Sequence, residues 1–316
     1  MPDDLLHCTV LCDNSTNRVG CRGEVGFSIL LRTGGRLVLL DTGPSDTAVH
    51  NADVLGIDVT QIDTIVLSHG HFDHTWGLMP ILARRAAVAR CNAAKVPWGD
   101  TPKGAVPVAK PILIANRGVF DEKWRESASL SVPVMGCLCS KAAVSRACDV
   151  RLGRGEPVWL TDRLVWLGQI PRVTPFESVG DLGLDGIDGG EGERENEGVE
   201  GEGEKDTVDE DSALAYVADE GLVIVAGCSH SGIVNIIKRA RAVTGVNKIR
   251  DLVGGLHLRG NGKREKRAAE WLKANGVYRV HACHCTAMPA KLILAEKGVL
   301  PHETGAGTDL YYHSGI

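Results

Sequence analysis

Three histidines and one aspartate stand within six consecutive residues, in the segment SHGHFDHT. The side chains that could bind metal ions are His69, His71, Asp73 and His74. Gly70 lets the backbone turn between the first two histidines, so that they can bind one ion while Asp73 and His74 bind a second beside it. A metal pair lowers the pKa of a shared water and polarises a carbonyl or phosphoryl oxygen. The segment therefore predicts a metal-dependent reaction, with Asp73 and His74 as catalytic candidates.

Two ions need more ligands than this segment supplies. Three further histidines follow predicted strands, in the turns GCSHSG, GGLH and CHCT, and they are His230, His257 and His284. Loops at the carboxyl ends of neighbouring strands converge, so we expect these histidines to complete the metal site; hydrogen bonding beside the site is the alternative. The ligand types predict two divalent ions, zinc first, with manganese, iron and magnesium as alternatives.

Other polar residues near these segments are expected to support the site. Asp41 ends an apolar run as LLDTG, where its carboxylate can fix the tautomer of a ligand histidine or simply form a turn. Cys228 can bind a metal ion or pack beside it. Arg172 can hold a phosphate or carboxylate of a substrate, and Glu177 stands in the same segment, IPRVTPFE. A structural role is the equal alternative for both.

Alternating strand and helix signals position these residues. Strands are predicted at residues 27–32, 37–40, 62–68, 111–115, 158–160, 164–168, 213–217, 222–226, 249–253 and 278–282. Helices are predicted at residues 46–55, 77–89, 233–243 and 263–275. The strand at 62–68 leads directly into the histidine-rich segment, and the last three strands each end in a histidine-bearing turn.

The charge of the chain is unevenly distributed. Fourteen acidic and two basic residues stand between 181 and 211, a net charge of −12, so the remainder carries +7. We expect a single domain over 1–316 with a disordered acidic, glycine-rich insertion at 180–211; a docking segment is the alternative. The mildly basic remainder suits a small anionic substrate, and the lack of a long basic cluster with interleaved aromatic residues argues against nucleic acid.

The cysteines and the chain start bear on location. The chain has 10 cysteines, begins MPDDLLHC, and contains no run of 18 apolar residues. The start lacks the basic and apolar regions of a secretory signal, and no segment reads as a membrane span. We therefore expect a cytoplasmic protein with reduced thiols and no membrane association.

The histidine-rich segment, preceded by a strand and by LLDTG, resembles the metallo-β-lactamase superfamily. The resemblance implies an α/β fold, an αββα sandwich with the metals at one edge of two sheets. Five segments are similar to one subgroup, that of a dihydropterin-methyl-ribofuranosylaminobenzene-phosphate synthase of archaeal methanopterin synthesis. These segments are LSHGHFDHTWGL, IPRVTPFE, GCSHSGIVNII, GGLHL and HCTAMPA, and together they cover nearly the whole chain apart from the insertion.

The chain departs from the family pattern in two places that concern ligands. The segment QIPRVTPFE has no histidine where most superfamily hydrolases have one, and Cys228 stands where they have a bridging aspartate. The resemblance implies that His230 supplies one missing ligand and that His257 is the last superfamily histidine. Trp76 replaces a small residue of the subgroup and Ala287 a glycine, so both can reshape the substrate pocket.

Three functions follow from these observations. The first is a metal-dependent hydrolase that uses hydroxide made available by the metal pair on a small ester, thioester, lactone or phosphoester. The second is a transferase that joins a pterin diphosphate to an aromatic amine, with the metals stabilising the leaving diphosphate. The third is a non-catalytic metal-binding protein, against which the intact histidine-rich segment argues. The expected partner is a small molecule, and the sequence leaves the oligomeric state open.

Overall fold

The computed structural model describes residues 5–94, 109–121, 136–153, 155–177 and 207–313. The strands are β1 (Leu6–Cys12), β2 (Ser28–Thr33), β3 (Arg36–Leu40), β4 (Thr64–Val66), β5 (Ile112–Asn116), β6 (Asp149–Gly153), β7 (Val158–Trp159), β8 (Leu164–Trp166), β9 (Ala213–Ala218), β10 (Gly221–Ala226), β11 (Ile249–Gly254), β12 (Arg279–Ala282), β13 (Leu300–Pro301) and β14 (Asp309–Tyr312). The helices are α1 (Thr47–Val54), α2 (Phe72–Thr75), α3 (Leu78–Ala94), α4 (Lys141–Val144), α5 (Ile233–Thr244), α6 (Lys263–Ala274) and α7 (Met288–Glu296). Short 3-10 turns cover Val59–Gln61, Arg117–Phe120 and Pro175–Glu177.

The strands form two sheets of the same design. Their orders are β14-β1-β2-β3-β4-β5-β6 and β13-β12-β11-β10-β9-β8-β7. In the first sheet β3 to β6 are parallel, and in the second β10 to β13 are parallel. Each sheet therefore has one half in which neighbouring strands end at the same edge, where their loops can share a site.

Register aligns three of these strand ends. Ala226 at the end of β10 pairs with Gly254 of β11, and Gly254 pairs with Ala282 of β12. In the first sheet Leu40 of β3 pairs with Val66 of β4. The turns that follow these strands consequently start side by side.

Apolar side chains from both sheets fill the space between them. The largest are Phe27, Trp166, Tyr216 and Tyr312, all essentially inaccessible to solvent. Separate apolar clusters join the outer face of each sheet to its helices. This helix–sheet–sheet–helix layering is the predicted αββα sandwich, which the structure confirms.

Helix α5 shows how sequence pattern and tertiary contact combine. Ile233, Val234, Ile236 and Ile237 are buried on the side that packs on the sheet, at the spacing of an amphipathic helix. Truncation of one such isoleucine to alanine would cost about 2–5 kcal/mol. The helix ends at Gly245, whose φ of 73° favours glycine.

The predicted strands and helices are present, with ends shifted by a few residues. Only Thr64–Val66 of the predicted strand 62–68 lies in a sheet, because the backbone amide of Ser68 turns away to bond a side chain. Seven elements were not predicted from the sequence, and they are β1, β6, β13, β14, α2, α4 and α7.

Of the predicted insertion at 180–211, only residues 207–211 are described, and 180–206 lie outside the described part. Glu210 and Asp211 are buried, so the end of the segment belongs to the folded domain. In the described part of the chain, no helix has the length and apolar character needed to cross a membrane.

Candidate metal centre

The histidine-rich segment forms a tight turn at the end of β4. His71 precedes α2, and Asp73 and His74 lie within that single helical turn. His69 Nε2 lies 3.1 Å from His71 Nδ1, and the ring centroids of His69 and His74 are 4.2 Å apart. The turn thus brings all three histidines of this segment to one point.

A buried carboxylate, Asp41, fixes this turn. Its Oδ1 accepts a hydrogen bond from the Ser68 amide at 2.7 Å, and its Oδ2 accepts from Ser68 Oγ and His74 Nδ1, both at 2.7 Å. Because His74 Nδ1 donates to the carboxylate, its Nε2 is the nitrogen that faces the centre. His69 Nδ1 lies 2.8 Å from Ser68 Oγ, which leaves His69 Nε2 in the same role. Asp41 therefore lies where the sequence placed it, behind the ligand candidates.

The three remaining histidines come from the aligned strand ends. His230 follows β10, His257 follows β11 and His284 follows β12. The rings of His230 and His71 are 4.8 Å apart, and His284 Nε2 lies 3.2 Å from His74 Nε2 and 3.3 Å from an oxygen of Asp73. The structure therefore brings together all six histidines and the aspartate that were predicted as ligands.

The turns that carry these histidines have strained backbone. Among the described residues, five that are not glycine have a positive φ, and four border this centre: Asp41, Ser229, His257 and His284. Such conformations each cost about 1–3 kcal/mol and concentrate at functional sites. The strain is retained because each turn is held by hydrogen bonds, such as that from Ser229 Oγ to the Gly255 carbonyl at 2.6 Å.

The potential ligand atoms form overlapping groups, within each of which they lie no more than 4.8 Å apart. His69, His71 and His230 form one group and Asp73, His74 and His284 form another, and these two groups share no residue. Cys228 belongs to the other three groups, and its Sγ lies 3.2 Å from His74 Nε2. Cys228 thus lies between the two triads, as a candidate ligand rather than only a supporting residue.

The environment favours the forms that bind metal ions for several of these groups. Burial opposes ionisation of Asp73, but the nearby charge of His74 and the hydrogen bond of His284 outweigh it and hold its pKa below the usual range. Burial lowers the pKa of both His230 and His257, which keeps them neutral. His74 differs: burial would lower its pKa, but Asp73 and Asp41 raise it to about 9, so that it must release a proton to bind a metal.

Two buried atoms test whether a metal fits here. His230 Nε2 and His257 Nδ1 are buried and have no hydrogen-bond partner among the described residues. A buried imidazole nitrogen without a partner costs about 1–3 kcal/mol, which coordination would offset. Imidazole, carboxylate and thiol in one cluster are a suitable donor set for zinc or iron.

The three predicted substrate contacts have other partners. Glu177 is buried, and its carboxylate accepts hydrogen bonds from the amides of Val234 and Asn235, each at 3.0 Å, so it caps α5 instead of facing the centre. Arg172 uses Nη2 to bond the carbonyls of Thr207 and Val208, which anchors the end of the insertion.

Trp76 lies at the end of α2, next to the centre. Its indole nitrogen donates to the Gly136 carbonyl at 2.8 Å, and its ring meets that of Phe72 at 5.3 Å between centroids. Both side chains are half-buried. Of the three predicted substrate contacts, Trp76 is the one that directly follows the helical turn carrying Asp73 and His74.

Sequence reasoning missed several residues that complete the centre. Cys285 shares a ligand group with Cys228 and His284, and hydrogen bonds from Cys228 and His257 outweigh its burial and lower the pKa of its thiol. Its place in the HCT segment was the available signal. Asn14 Oδ1 accepts from His284 Nδ1 at 2.9 Å, and Glu210 accepts from the Gly70 amide at 3.1 Å; no local pattern marked either.

Comparison with known proteins agrees with this fold and site. A family model for the metallo-β-lactamase superfamily matches residues 21–133. In the solved structures, a metal-dependent hydrolase of the β-lactamase superfamily superposes with a TM-score of 0.69 at 24% identity, covering 96% of this chain and 98% of that one. The metallo-β-lactamase fold protein YhfI from Bacillus subtilis superposes with a TM-score of 0.51 at 11% identity, covering 98% and 99%. Residues 21–133 therefore resemble the metallo-β-lactamase superfamily, and the described part of the chain shares the fold of these solved structures.

Within that superfamily, the resemblance can be narrowed. The chain is 28% identical over 283 residues to the 7,8-dihydropterin-6-methyl-4-(β-D-ribofuranosyl)-aminobenzene-5′-phosphate synthase of Methanocaldococcus jannaschii, which is 86% of this chain and 84% of that protein. An uncharacterized protein of the same organism is 24% identical over 275 residues, 86% of this chain and 87% of its own length. The similarity supports the subgroup that the sequence motifs indicated.

Proposed function

We propose that the chain is a metal-dependent hydrolase that acts on a small anionic ester, thioester, lactone or phosphoester. The observation that carries the proposal is the pair of adjoining three-residue groups with Cys228 between them. His69, His71 and His230 would hold one divalent ion, and Asp73, His74 and His284 the other. The thiols of Cys228 and Cys285 favour zinc over magnesium or manganese.

Two ions held by these residues would supply a hydroxide nucleophile near neutral pH and would polarise the substrate oxygen. The chain's own groups orient the site and handle the proton. The Asp73 carboxylate stays ionised and can accept a proton during the reaction. Asp41, Ser68 and Asn14 hold three ligand imidazoles so that each Nε2 faces the same space.

A second candidate is a transferase that couples a pterin diphosphate to an aromatic amine. The similarity to a synthase over most of both chains favours it. The same two-metal centre would then stabilise the charge on the leaving diphosphate. The two candidates share the ligands and differ in whether water or an amine attacks.

Metal content per chain and a substrate screen test the proposal together. We expect about two zinc ions per chain in protein loaded and then dialysed, and hydrolysis of at least one ester, thioester, lactone or phosphodiester. The His71→Ala variant should lose metal and activity. His313→Ala is the matched control, because the His313 side chain is exposed and lies in the terminal segment after β14.

The results separate the candidates. Hydrolysis that His71→Ala abolishes supports the hydrolase. Release of diphosphate only when a pterin diphosphate and an aromatic amine are both present supports the transferase. If the protein retained no metal after zinc loading and dialysis, both candidates would be refuted.

A further inference from the structure

Two arginines follow the strand-end histidine His257 and have no carboxylate partner. Arg259 stands two residues after His257, in the loop that leads to α6, and Arg264 lies in the first turn of that helix. Both side chains are half-buried. Within the described part of the chain, no hydrogen bond or ion pair involves Arg259. Arg264 Nε and Nη2 are buried without a partner among the same residues.

The loop between the two arginines is fixed in place. Glu265 accepts a hydrogen bond from the Gly260 amide at 3.4 Å, and the Leu258 carbonyl accepts one from the Ala287 amide at 2.9 Å. The loop is thus tied both to α6 and to the start of α7.

Both guanidinium groups act on the metal centre. Burial is the main cause that lowers the pKa of His257, and Arg259 and Arg264 lower it further. Arg259 has the same effect on His230. These effects require the two positive charges to lie close to the ligand side chains, since Coulomb interactions fall off with distance.

The buried carboxylates of Glu177 and Glu265 form no ion pair with either arginine among the described residues. Glu177 lies close enough to Arg264 for the guanidinium to lower its pKa, against the larger raising effect of burial. Its two oxygens are already bonded to amides of α5, and Lys238 also acts on it. Arg259 and Arg264 therefore have no ion-pair partner within the described part of the chain. Leaving charged groups half-buried and unpaired is costly unless an anion binds to them.

We propose that Arg259 and Arg264 form a subsite for a phosphoryl group of the substrate, adjacent to the metal centre. The assignment deepens the proposed function, on which it rests, by specifying a phosphorylated substrate. Guanidinium groups present paired N–H donors that match phosphate oxygens. Two of them suit a dianion better than a monoanionic carboxylate. Arg172 is not part of the subsite, because it holds the backbone of residues 207 and 208.

The test measures binding of inorganic phosphate to the zinc-loaded protein by calorimetry. Arg259→Gln and Arg264→Gln should each raise the Kd for phosphate about tenfold or more, which is the loss of a charge-assisted hydrogen bond. Arg264→Lys should recover part of the loss because it restores the charge. Arg267→Gln is the matched control: Arg267 lies one turn further along α6 and is exposed, so binding should not change.

Zinc content and circular dichroism are measured on each variant, so that loss of metal or of fold is not taken for loss of the subsite. Unchanged phosphate binding in Arg259→Gln and Arg264→Gln, at full zinc content, would overturn the proposal, since the metals alone would then hold the anion. Acetate bound with equal affinity and equal dependence on both arginines would overturn the dianion assignment.

These results are separable from those on the proposed function. Arginine-dependent phosphate binding in a protein that hydrolyses nothing would support the subsite and contradict the hydrolase. Hydrolysis of esters together with arginine-independent phosphate binding would do the reverse.

Discussion

The two halves of the molecule contribute to one centre by different means. The N-terminal half places His69, His71, Asp73 and His74 on a single turn after β4, held by one carboxylate. The C-terminal half contributes one histidine from each of three turns, after β10, β11 and β12. The first arrangement is local in sequence, whereas the second depends on the register of parallel strands.

The difference also appears in the backbone. In the N-terminal half, Asp41 is the one described non-glycine residue at the centre with a positive φ. It is not a ligand candidate but the carboxylate that holds the turn. In the C-terminal half, two of the three histidines, His257 and His284, themselves adopt positive φ. Ligands that are distant in sequence are thus aimed by strained turns, and the hydrogen bonds around those turns maintain the strain.

The largest expected effect comes from breaking the local turn. His71→Ala should reduce activity about a thousandfold or more and lower bound metal from about two ions per chain to about one. His257→Ala should have a smaller effect, about ten- to a hundredfold, because His257 belongs to one of the five ligand groups, with Cys228 and His230, and to neither of the two triads proposed to hold the ions. Metal analysis and kinetics on both variants check this order. Equal losses would show that the strand-end histidine is as central as the local turn.

The second-largest effect is expected at Asp41, the carboxylate that holds this turn in place. Asp41→Asn removes the negative charge and one of the two acceptor oxygens that hold Ser68 and His74, and it should weaken metal binding about ten- to a hundredfold. Asparagine tolerates positive φ, so the backbone at this position is retained. Competition with a chelator measures the change, and Asp46→Asn, at an exposed aspartate nearby, is the control. Unaltered zinc affinity would mean that packing alone orients the histidine.

The contact between the two halves should be sensitive to one methyl group. A Cβ at Gly227 would lie 2.2 Å from Ser68 Oγ and 2.6 Å from Asp41 Oδ2, both of which are confined. Gly227→Ala should therefore destabilise the protein by about 1–3 kcal/mol. A Cβ at Gly260 would lie 3.9 Å from its nearest neighbour, the Gly262 amide nitrogen. Gly260→Ala should therefore change the free energy of unfolding by no more than about 0.5 kcal/mol. Urea unfolding of both variants decides whether the halves pack this closely.

The smallest effect depends on pH and concerns Asp211, beside the His230 turn. Burial raises its pKa to about 7, although the Ser231 amide donates to it at 2.7 Å. The folded state therefore binds the proton more tightly than the unfolded state, so this group's contribution to stability falls as pH rises from about 4 to about 7. Asp211→Asn should stabilise the metal-free protein more at pH 8 than at pH 5.

Unfolding at the two pH values tests this prediction, with Asp209→Asn as the control because that side chain is exposed. A stability difference that is the same at pH 5 and pH 8 would show that Asp211 does not titrate in this range.

Much of the fold could be predicted wherever a strand or helix is determined by a local sequence pattern. Apolar runs such as those of β3, β10 and β11 predicted their strands because each is buried on both faces. β1 escaped prediction because polar residues such as His7 and Thr9 interrupt its buried sequence. Thr9 Oγ1 and His7 Nε2 bond Asp309 on β14, a partner 300 residues away that no local pattern reveals.

The candidate site also has one part that the sequence predicted and another that depends on contacts between distant segments. The types and spacing of His69, His71, Asp73 and His74 predicted a turn that could bind metal and a resemblance to the metallo-β-lactamase superfamily, because a tight turn leaves such side chains few other arrangements. Only the tertiary structure decided that His284 joins Asp73 and His74, that His257 lies by Cys228 and His230, and that Glu177 caps α5. The physical reason is that strand register and backbone strain set these contacts, and both arise from pairing between segments far apart in the chain.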